Sequence, residues 1–414
     1  MLEAARLRTL ALADRFDGAQ WLGPKLRIVN PPLWEIGHLG WFEERWCLRQ
    51  RGHSSGCLPS NADALYDSAK VAHDTRWDLP LPTVKETLAM LAGIRASVAE
   101  QIDQHGASPE LRYFVELSAL HEEMHCEAFT YTRQTHGYSE PYPKIRIAGG
   151  NRCAGDVEIP GGRFVLGAED DGQFVFDNEK WGHEVKVRPY RMARTPVTNA
   201  LFAEFVEAGG YNNLDWWDKD GCEWLKTSRA QHPLYWRRSG QGWLRLRYDC
   251  LEPLVDDEPV IHVNWYEASA WCRWAGRRLP TEPEWEFAAS SIPDGDGEKR
   301  RYPWGSEPPA ADLANLYGAA GDTAPVGAFA AGDSAWGIRQ MIGNVWEWTA
   351  DWFQPYPGFI RDPYAEYSEP WFGNHKVLRG GCHATRACLI RNTWRNFYTP
   401  DRRDVFAGFR TCAL

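Results

Sequence analysis

The chain has 414 residues, of which 46 are lysine or arginine and 56 are aspartate or glutamate, giving a formal net charge of −10. This length predicts two or more domains of roughly 100–200 residues each. A content of 43% hydrophobic and 25% charged residues is typical of a folded globular protein. The acidic balance and the lack of a basic run argue against nucleic acid or an anionic membrane as the main partner, so we expect a small-molecule ligand.

The N-terminus mixes charged residues into its apolar run, and no stretch approaches the roughly 20 apolar residues that span a bilayer, so the sequence favours a cytoplasmic protein. Its 10 cysteines are scattered without Cys-x-x-Cys pairs, which indicates reduced thiols. The 22 tryptophans are the unusual number in this composition. Tryptophan fills cores, stacks on sugars and forms cages for cations, so the excess has several interpretations.

Residues 1–140 have the pattern of four helices. The first is LEAARLRTLALADRF, and the second, LWEIGHLGWFEERWCLRQR, follows a Pro-Pro pair. The third lies between Pro82 and Gly106, and the fourth between Ser108 and Gly137. A long connection, CLPSNADALYDSAKVAHDTRWDLPLPT, separates the second helix from the third. We predict an antiparallel four-helix bundle, an architecture that often holds metals between facing helices.

From about Tyr142 the pattern changes to short β-like runs, glycine and proline turns and dense aromatics, as in GGRFVLG, HEVKVRPYRMARTPVT and GNVWEWT. Two helical stretches stand out, NALFAEFVEAGG and WYEASAWCRWAGRR. The sequence therefore predicts an α+β protein with a helical domain at 1–140, a linker at 141–152 and a loop-rich domain at 153–414 built on a small mixed sheet.

The strongest chemical signal is the segment His121-Glu-Glu-Met-His125-Cys-Glu127 in the fourth helix. Residues four apart lie on the same face of a helix, so the two imidazoles can converge on one ion. Glu127 is a candidate acceptor for the N–H group of a ligating imidazole. His38 is the candidate third ligand because it is the one histidine of the second helix and has apolar neighbours.

The spacing of this segment also fits His-Glu-x-x-His, in which two histidines bind zinc and the glutamate is the general base. A zinc hydrolase is therefore one interpretation. Three imidazoles equally suit Fe(II) with open positions for dioxygen and substrate. A non-catalytic, lectin-like sugar binder is a further hypothesis because the second half is rich in aromatic residues.

The motifs resemble two known families in tandem. The helical half is similar to DinB-type bundles, with a second-helix histidine followed by His-x-x-x-His-x-Glu. The second half resembles the C-type-lectin-like domain of formylglycine-generating enzymes in GGRFVLG, RTPVTNALFAEFV, VNWYEASAWCRWAGRRLPTEPEWEFAA, GNVWEWTADWF, VLRGG and AGFR. In this order the two are similar to the non-haem iron sulfoxide synthases of ergothioneine biosynthesis. Those enzymes use O2 to join a thiol sulfur to the imidazole C2 of hercynine, the trimethylated betaine of histidine.

This resemblance implies Fe(II) as the cofactor, O2 as a co-substrate and three iron ligands: His38, His121 and His125. The family's betaine-contacting segment reads Arg-Asn-Phe-Tyr-Thr-Pro here, at residues 395–400. The resemblance thus implies hercynine contacts from Asn396 and from Phe397, whose ring offers a face to a permanent cation. Arg402 is implied to meet a carboxylate or another polar group of a substrate.

The resemblance also implies a tyrosine that donates a proton near the iron, and the matching stretch RDPYAEYSEPWFG contains two, Tyr364 and Tyr367. Both remain candidates. Trp371, in the same stretch, and Trp77, in the long connection, are where we expect an aromatic platform for a betaine or a sugar.

The identity of the sulfur or selenium donor is inferred from the positions at which this chain departs from the family pattern. Members that use γ-glutamylcysteine carry an arginine-rich stretch between the second and third helices. This chain has one arginine there, Arg76, which is a candidate substrate-binding residue. Tyr398 stands where such members have an acidic group that meets the dipeptide. HDTRWDLPLP resembles the selenoneine synthase branch, which implies C–Se bond formation with a selenosugar donor. A thiol donor, γ-glutamylcysteine or cysteine, is the alternative.

Overall fold

The computed structural model describes residues 1–106, 108–150, 153–240, 242–293, 295 and 299–414. The chain divides into two compact units, Met1–Pro141 and Tyr142–Leu414. The predicted linker, 141–152, includes residues that pack on the second unit, since the Ile145 N–H donates to the Ala320 carbonyl at 2.8 Å. Asn151 and Arg152 of that linker lie outside the described residues. Within the described part of the chain, no helix combines the length and the apolar character needed to cross a membrane.

The described residues of the first unit form five α-helices. Their bounds are α1 (Leu2–Ala13), α2 (Pro32–Glu43), α3 (Ala62–Tyr66), α4 (Val84–His105) and α5 (Pro109–His136). The four predicted helices are present, and the short α3 forms inside the long connection. The Thr83 side chain accepts from the Glu86 N–H and closes a capping box at the start of α4. Ser108 caps α5, and Gly137, at φ 65°, ends it in the left-handed region.

α2 is the central element of this unit because it packs against both α4 and α5, while α1 packs along α5. It continues past Glu43 through a π-helical turn at Glu44–Leu48 and a 3₁₀ turn at Arg49–Arg51. Its side chains are buried almost throughout, Trp34 and Phe42 at 1% exposure each. A helix buried on every side is where a polar residue must find a partner inside the protein.

The second unit contains four α-helices among its described residues: α6 (Asn199–Glu207), α7 (Lys219–Ser228), α8 (Trp265–Trp274) and α9 (Glu282–Ser290). The sequence predicts α6 and α8 but not the other two, so the expectation of two helices is too low. α9 begins with a capping box between Thr281 and Glu284 and a proline in its first turn. α7 begins at an Asp218 cap. Both helices carry ordinary start signals that the dense aromatic pattern conceals.

The strands of this unit are short. They are β1 (Asp156–Ile159), β2 (Gly162–Leu166), β3 (His183–Val187), β4 (Tyr190–Ala193), β5 (Trp236–Ser239), β6 (Gly242–Arg247), β7 (Cys250–Pro253), β8 (Arg277–Arg278), β9 (Trp346–Trp352), β10 (Lys376–Arg379), β11 (Asn396–Tyr398), β12 (Ala407–Gly408) and β13 (Cys412–Ala413).

These strands form several small sheets rather than one. One sheet has the order β1-β4-β13-β8, a hairpin joins β2 and β3, and β5-β6-β7 is an antiparallel meander. The sheet β11-β10-β9-β12 is mixed, because β12 pairs in parallel with β9 while the other pairs are antiparallel. In this sheet Phe397 lies opposite Val377, which places the predicted betaine-contacting segment on an edge strand.

The interior of the second unit combines tryptophan with buried ion pairs. Trp285, Trp346 and Trp348 are fully buried. Arg410 pairs with Glu347 at 2.6 Å, with both side chains at 0% exposure. Arg395, the first residue of the predicted betaine-contacting segment, donates to Glu282 at 2.7 Å and is 1% exposed. That arginine therefore holds the edge strand onto α9.

Candidate active site

His38 is held inside the helical unit by α2, on which it lies, and by the last residue of α3. Its Nδ1 lies 2.8 Å from the Tyr66 carbonyl oxygen. A carbonyl only accepts, so Nδ1 carries the hydrogen and Nε2 keeps a lone pair for a ligand. The ring stacks on Trp34 with centroids 5.0 Å apart and an interplanar angle of 8°. The side chain is thus fixed in orientation and in tautomer.

His121 and His125 lie one turn apart on α5 and face His38. The His121 ring stacks on Phe42 with centroids 3.7 Å apart. The His125 Nδ1 lies 2.6 Å from Glu35 Oε1, so Nδ1 donates and Nε2 points the other way. The Nε2 atoms of His121 and His125 are 3.3 Å apart.

The three histidines form one group whose potential ligand atoms all lie within 4.8 Å of one another. Two imidazole nitrogens bound to one ion at about 2.1 Å are separated by roughly 3 to 3.5 Å, which the 3.3 Å between His121 and His125 matches. Burial, with the nearby His125, lowers the pKa of His38 to about 3. Burial also holds the pKa of His121 well below its usual range. These rings are neutral at pH 7, the state in which imidazole binds a metal, so the donor set fits a metal ion.

Glu35 is a carboxylate that contacts a proposed ligand and that the sequence pattern did not single out, while the role of Glu127 as an acceptor stays a prediction. Glu127 stands two residues after His125, about 200° around the helix axis, and therefore lies on a different face. Glu35 stands three residues before His38 on α2 and crosses to His125 on α5. The i, i+3 spacing to His38 is a signal in the sequence that could have identified it.

The glutamate required for the His-Glu-x-x-His interpretation faces away from the histidines. Glu122 is 3% exposed and pairs with Arg6 at 2.7 Å and with Arg95 at 3.1 Å. Its neighbour Glu123 pairs with Arg8 at 3.0 Å. A carboxylate committed to two buried arginines is not placed to activate a metal-bound water, so the geometry disfavours the zinc hydrolase.

In the second unit, the predicted substrate residues share a run of contacting rings that we call the aromatic row. Successive ring centroids lie between 5.2 and 6.2 Å apart. In order, the row consists of Tyr364, Tyr367, Phe397, His375 and Trp371. The structure thus brings together four of the residues that the sequence singles out and adds His375.

Phe397 and Asn396 are positioned by the edge strand β11. The Phe397 ring stacks on Phe353 with centroids 4.1 Å apart, so one of its faces is already covered. The Asn396 side-chain oxygen accepts from the Phe397 N–H at 2.8 Å. Both residues are partly exposed.

The two candidate tyrosines differ in their surroundings. Tyr367 stacks on Phe176 at 4.3 Å, and its hydroxyl oxygen lies 3.5 Å from the Trp394 indole nitrogen. Burial raises the pKa of Tyr367 above its usual range, so its hydroxyl keeps its proton at neutral pH. Tyr364 lies at the start of the 3₁₀ turn Ala365–Tyr367.

Two further substrate candidates, Arg402 and Trp371, already have hydrogen-bond partners within the chain. Arg402 donates twice to Asp404, at 2.6 Å each, and lies 5.0 Å from the Tyr398 ring centroid. Its guanidinium is thus already paired with a carboxylate of its own chain. Trp371 is 39% exposed and donates its indole N–H to the Glu366 carbonyl at 3.0 Å.

The two candidates in the long connection have internal contacts. The Arg76 guanidinium lies 3.9 Å from the Trp34 ring centroid and donates to Asn30 Oδ1 at 2.7 Å. The Trp77 indole N–H donates to the carbonyls of Leu22 and Gly23, at 3.0 and 3.2 Å. Both side chains therefore tie the connection onto the helical unit.

Comparison with known proteins agrees with this division of the chain. Residues 1–128 match the DinB superfamily, and residues 144–413 match the Sulfatase-modifying factor enzyme 1-like domain. The formylglycine-generating enzyme of Streptomyces coelicolor is 34% identical over 304 residues, which cover 66% of this chain and 93% of that protein. The α+β fold class is confirmed, with a DinB region followed by a domain of the sulfatase-modifying type.

Full-length similarity is found with the Hercynine oxygenase of Mycolicibacterium smegmatis, 38% identical over 423 residues, and with that of Mycobacterium tuberculosis, 38% identical over 417 residues. Each match covers 99% of this chain and 96% of the relative. The chain belongs to the hercynine oxygenase family, and it is an oxidoreductase. The superfamily resemblance is thereby confirmed, and the hypothesis of a non-catalytic sugar binder is set aside.

Proposed function

We propose that this protein is an O2-dependent hercynine oxygenase that binds Fe(II) through His38, His121 and His125. The reaction joins sulfur or selenium to the imidazole C2 of hercynine. The observation that carries the proposal is the convergence in the helical unit of three imidazoles, two of them buried and that of His125 half-buried. Its substrate is supported by full-length relatives that are named for hercynine.

Iron bound by the three imidazoles would supply the redox chemistry and leave positions open for O2 and substrate. The chain's own groups orient the imidazoles. The Tyr66 carbonyl and the Glu35 carboxylate hold the Nδ1–H groups of His38 and His125, which leaves both Nε2 lone pairs on the metal side. Phe42 and Trp34 cover two of the rings and keep water from those faces.

The aromatic row is the proposed site for the betaine. A trimethylammonium group cannot donate a hydrogen bond, so the π faces of rings are its natural partners. Tyr367 is the preferred proton donor of the two candidates because its ring contacts Phe397, the proposed betaine contact, at a centroid distance of 6.0 Å. Asn396 supplies a polar group beside the Phe397 ring.

For the second substrate we propose a neutral selenosugar, which makes the product a selenoneine-type compound. The support comes from Arg76, the single arginine of the long connection. Its guanidinium is buried and donates to Asn30 Oδ1 and to the carbonyls of Ser68 and Val71. An arginine engaged in this way does not offer a free cation to the carboxylates of γ-glutamylcysteine. A thiol donor is the competing assignment.

The reaction is tested by reconstituting the protein with Fe(II) under anaerobic conditions, adding hercynine and donor, and then measuring O2 consumption and product mass. We expect O2 uptake that requires iron, and its loss in His121→Ala. A protein that binds zinc stoichiometrically and takes up no O2 after iron reconstitution contradicts the proposal.

The donor is tested by comparing kcat/KM for a selenosugar, γ-glutamylcysteine and cysteine at fixed hercynine. We expect the selenosugar to be preferred by at least one order of magnitude, the effect of about one ionic contact. Arg76→Met should leave the order of preference unchanged, because Arg76 is not proposed to contact the donor. A preference for the dipeptide, lost in Arg76→Met, contradicts this assignment.

A further inference from the structure

Glu35 is a buried acid in contact with a proposed metal ligand. Its side chain is 1% exposed, and its Oε1 lies 2.6 Å from His125 Nδ1. Placing a carboxylate in a protein interior is costly unless it is paired and hydrogen-bonded. A neutral acceptor would suffice to orient an imidazole, as the Tyr66 carbonyl does for His38. A carboxylate at this position therefore indicates a role beyond orienting the ring.

Arg76 is a buried cation at the start of α2, the helix that carries Glu35, because it donates to Asn30 Oδ1 at 2.7 Å. It is 8% exposed and lies over Trp34, the ring that stacks on His38. Burial lowers the pKa of Arg76 to about 10, and the charge of Glu35 acts in the opposite direction. Its contacts with Asn30 and with Trp34, the neighbour of Glu35, place a positive charge beside the part of α2 that carries the carboxylate.

We infer that Glu35 is a positioning residue of the metal centre and that Arg76 is its countercharge, which makes the long connection a support of the metal site. The inference rests on the proposed function, since it requires His125 to be a ligand. The Glu35 carboxylate fixes the Nδ1–H tautomer of His125, aims Nε2 at the metal and increases the electron-donating strength of the ring. Arg76 supports that carboxylate through its opposite charge and through its contacts with Asn30 and Trp34.

Metal affinity tests the first part. Anaerobic Fe(II) titration against a competing chelator should give a Kd that is weaker by roughly 10- to 100-fold in Glu35→Gln and in Glu35→Ala. Co(II), used as a spectroscopic probe, should show a shifted ligand-field absorption spectrum in both variants. Circular dichroism establishes that each variant is folded under the titration conditions.

Glu43→Gln is the matched control. Glu43 is also a buried glutamate of α2, at 2% exposure, but it pairs with Arg6 and Arg95. Loss of its charge should lower stability and leave both the Fe(II) affinity and the Co(II) spectrum as in the wild type. An equal loss of affinity in Glu35→Gln and Glu43→Gln would mean that the effect reflects general destabilisation, and it overturns the inference.

A double-mutant cycle tests the second part. Arg76→Met should weaken Fe(II) binding several-fold in the wild type and have little effect in the Glu35→Gln background, whereas Arg76→Lys should retain most of the affinity. Additive effects of the two substitutions overturn the role of Arg76. If the wild-type protein fails to bind one equivalent of Fe(II), the proposed function itself is contradicted. If the wild type binds Fe(II) and the Glu35 variants bind it with the same affinity, only the role of Glu35 is contradicted.

Discussion

The residue before His38 offers a direct test of how tightly the metal centre is packed. Gly37 lies on α2 against the ring of Tyr66, whose side chain is fully buried and whose carbonyl holds His38. A Cβ atom added at Gly37 would lie 2.3 Å from Tyr66 Cε1 and 2.5 Å from its Cζ. An aromatic ring enclosed on all sides has no room to retreat by that distance, so Gly37→Ala must displace Tyr66.

The expected cost is the difference between two terms. Overpacking a dense core costs about 1–3 kcal/mol, and so close a contact belongs at the upper end. Alanine in place of glycine inside a helix returns about 1 kcal/mol. Gly37→Ala should therefore lower the free energy of unfolding by roughly 2 kcal/mol. Because the Tyr66 carbonyl moves with its ring, Fe(II) affinity should fall as well.

Gly40→Ala, one turn further along α2, is the control. Its added Cβ would meet the terminal methyl groups of Leu91 and Met90 at 3.1 and 3.3 Å, which can shift by a few tenths of an ångström. This variant should be as stable as the wild type or up to about 1 kcal/mol more stable, with unaltered Fe(II) affinity. Urea denaturation and chelator competition measure both quantities. A Gly37→Ala protein as stable as Gly40→Ala would refute the packing argument.

Three further predictions follow from the structure. Removal of the metal with a chelator should lower the Tm of the helical unit by roughly 5 to 11 °C, from the 2.7 kcal/mol supplied by a ligand at about 100 times its Kd; an unaltered Tm contradicts a resident metal. Glu122→Gln should lower the free energy of unfolding by roughly 2–3 kcal/mol, because its two arginine partners lose their countercharge, and should leave the Fe(II) affinity unaltered. A loss of Fe(II) affinity would show that Glu122 acts at the metal site. Burial raises the pKa of Asp177 from 3.8 to about 6. The folded state then binds this proton more tightly than the unfolded state, so the free energy of unfolding should fall by at most about 3 kcal/mol as the pH is raised from about 4 to about 6. Asp177→Asn should flatten that decline, which pH-dependent urea denaturation measures.

The helices of the first unit were predictable because their boundaries are encoded locally. The Pro-Pro pair before α2, the Thr83 and Glu86 capping box and the Ser108 cap are all visible in the sequence. The strands of the second unit were less predictable because several are only two residues long, such as β8 and β12. A strand of that length is defined by the partner it meets, and the partner comes from the tertiary fold.

The candidate site divides in the same way. His121 and His125 are predictable from their spacing, because a helix alone brings residues four apart onto one face. The Tyr66 carbonyl could not be predicted, since its position depends on how the long connection folds back on α2. For Arg402, the acid two residues away was visible, but their pairing in the fold was not.

The segment His121-Glu-Glu-Met-His125 also shows why spacing by itself left two chemistries open. Each helical residue turns by 100°, so residues four apart share a face while Glu122 and Glu123 point elsewhere. Here those two carboxylates bind Arg6 and Arg8 of α1, and they fasten that helix to α5. The general base of a zinc hydrolase would be Glu122, but the face of α5 that carries Glu122 packs against α1. The carboxylate on the histidine face comes instead from α2, as Glu35, which accepts a hydrogen bond from His125.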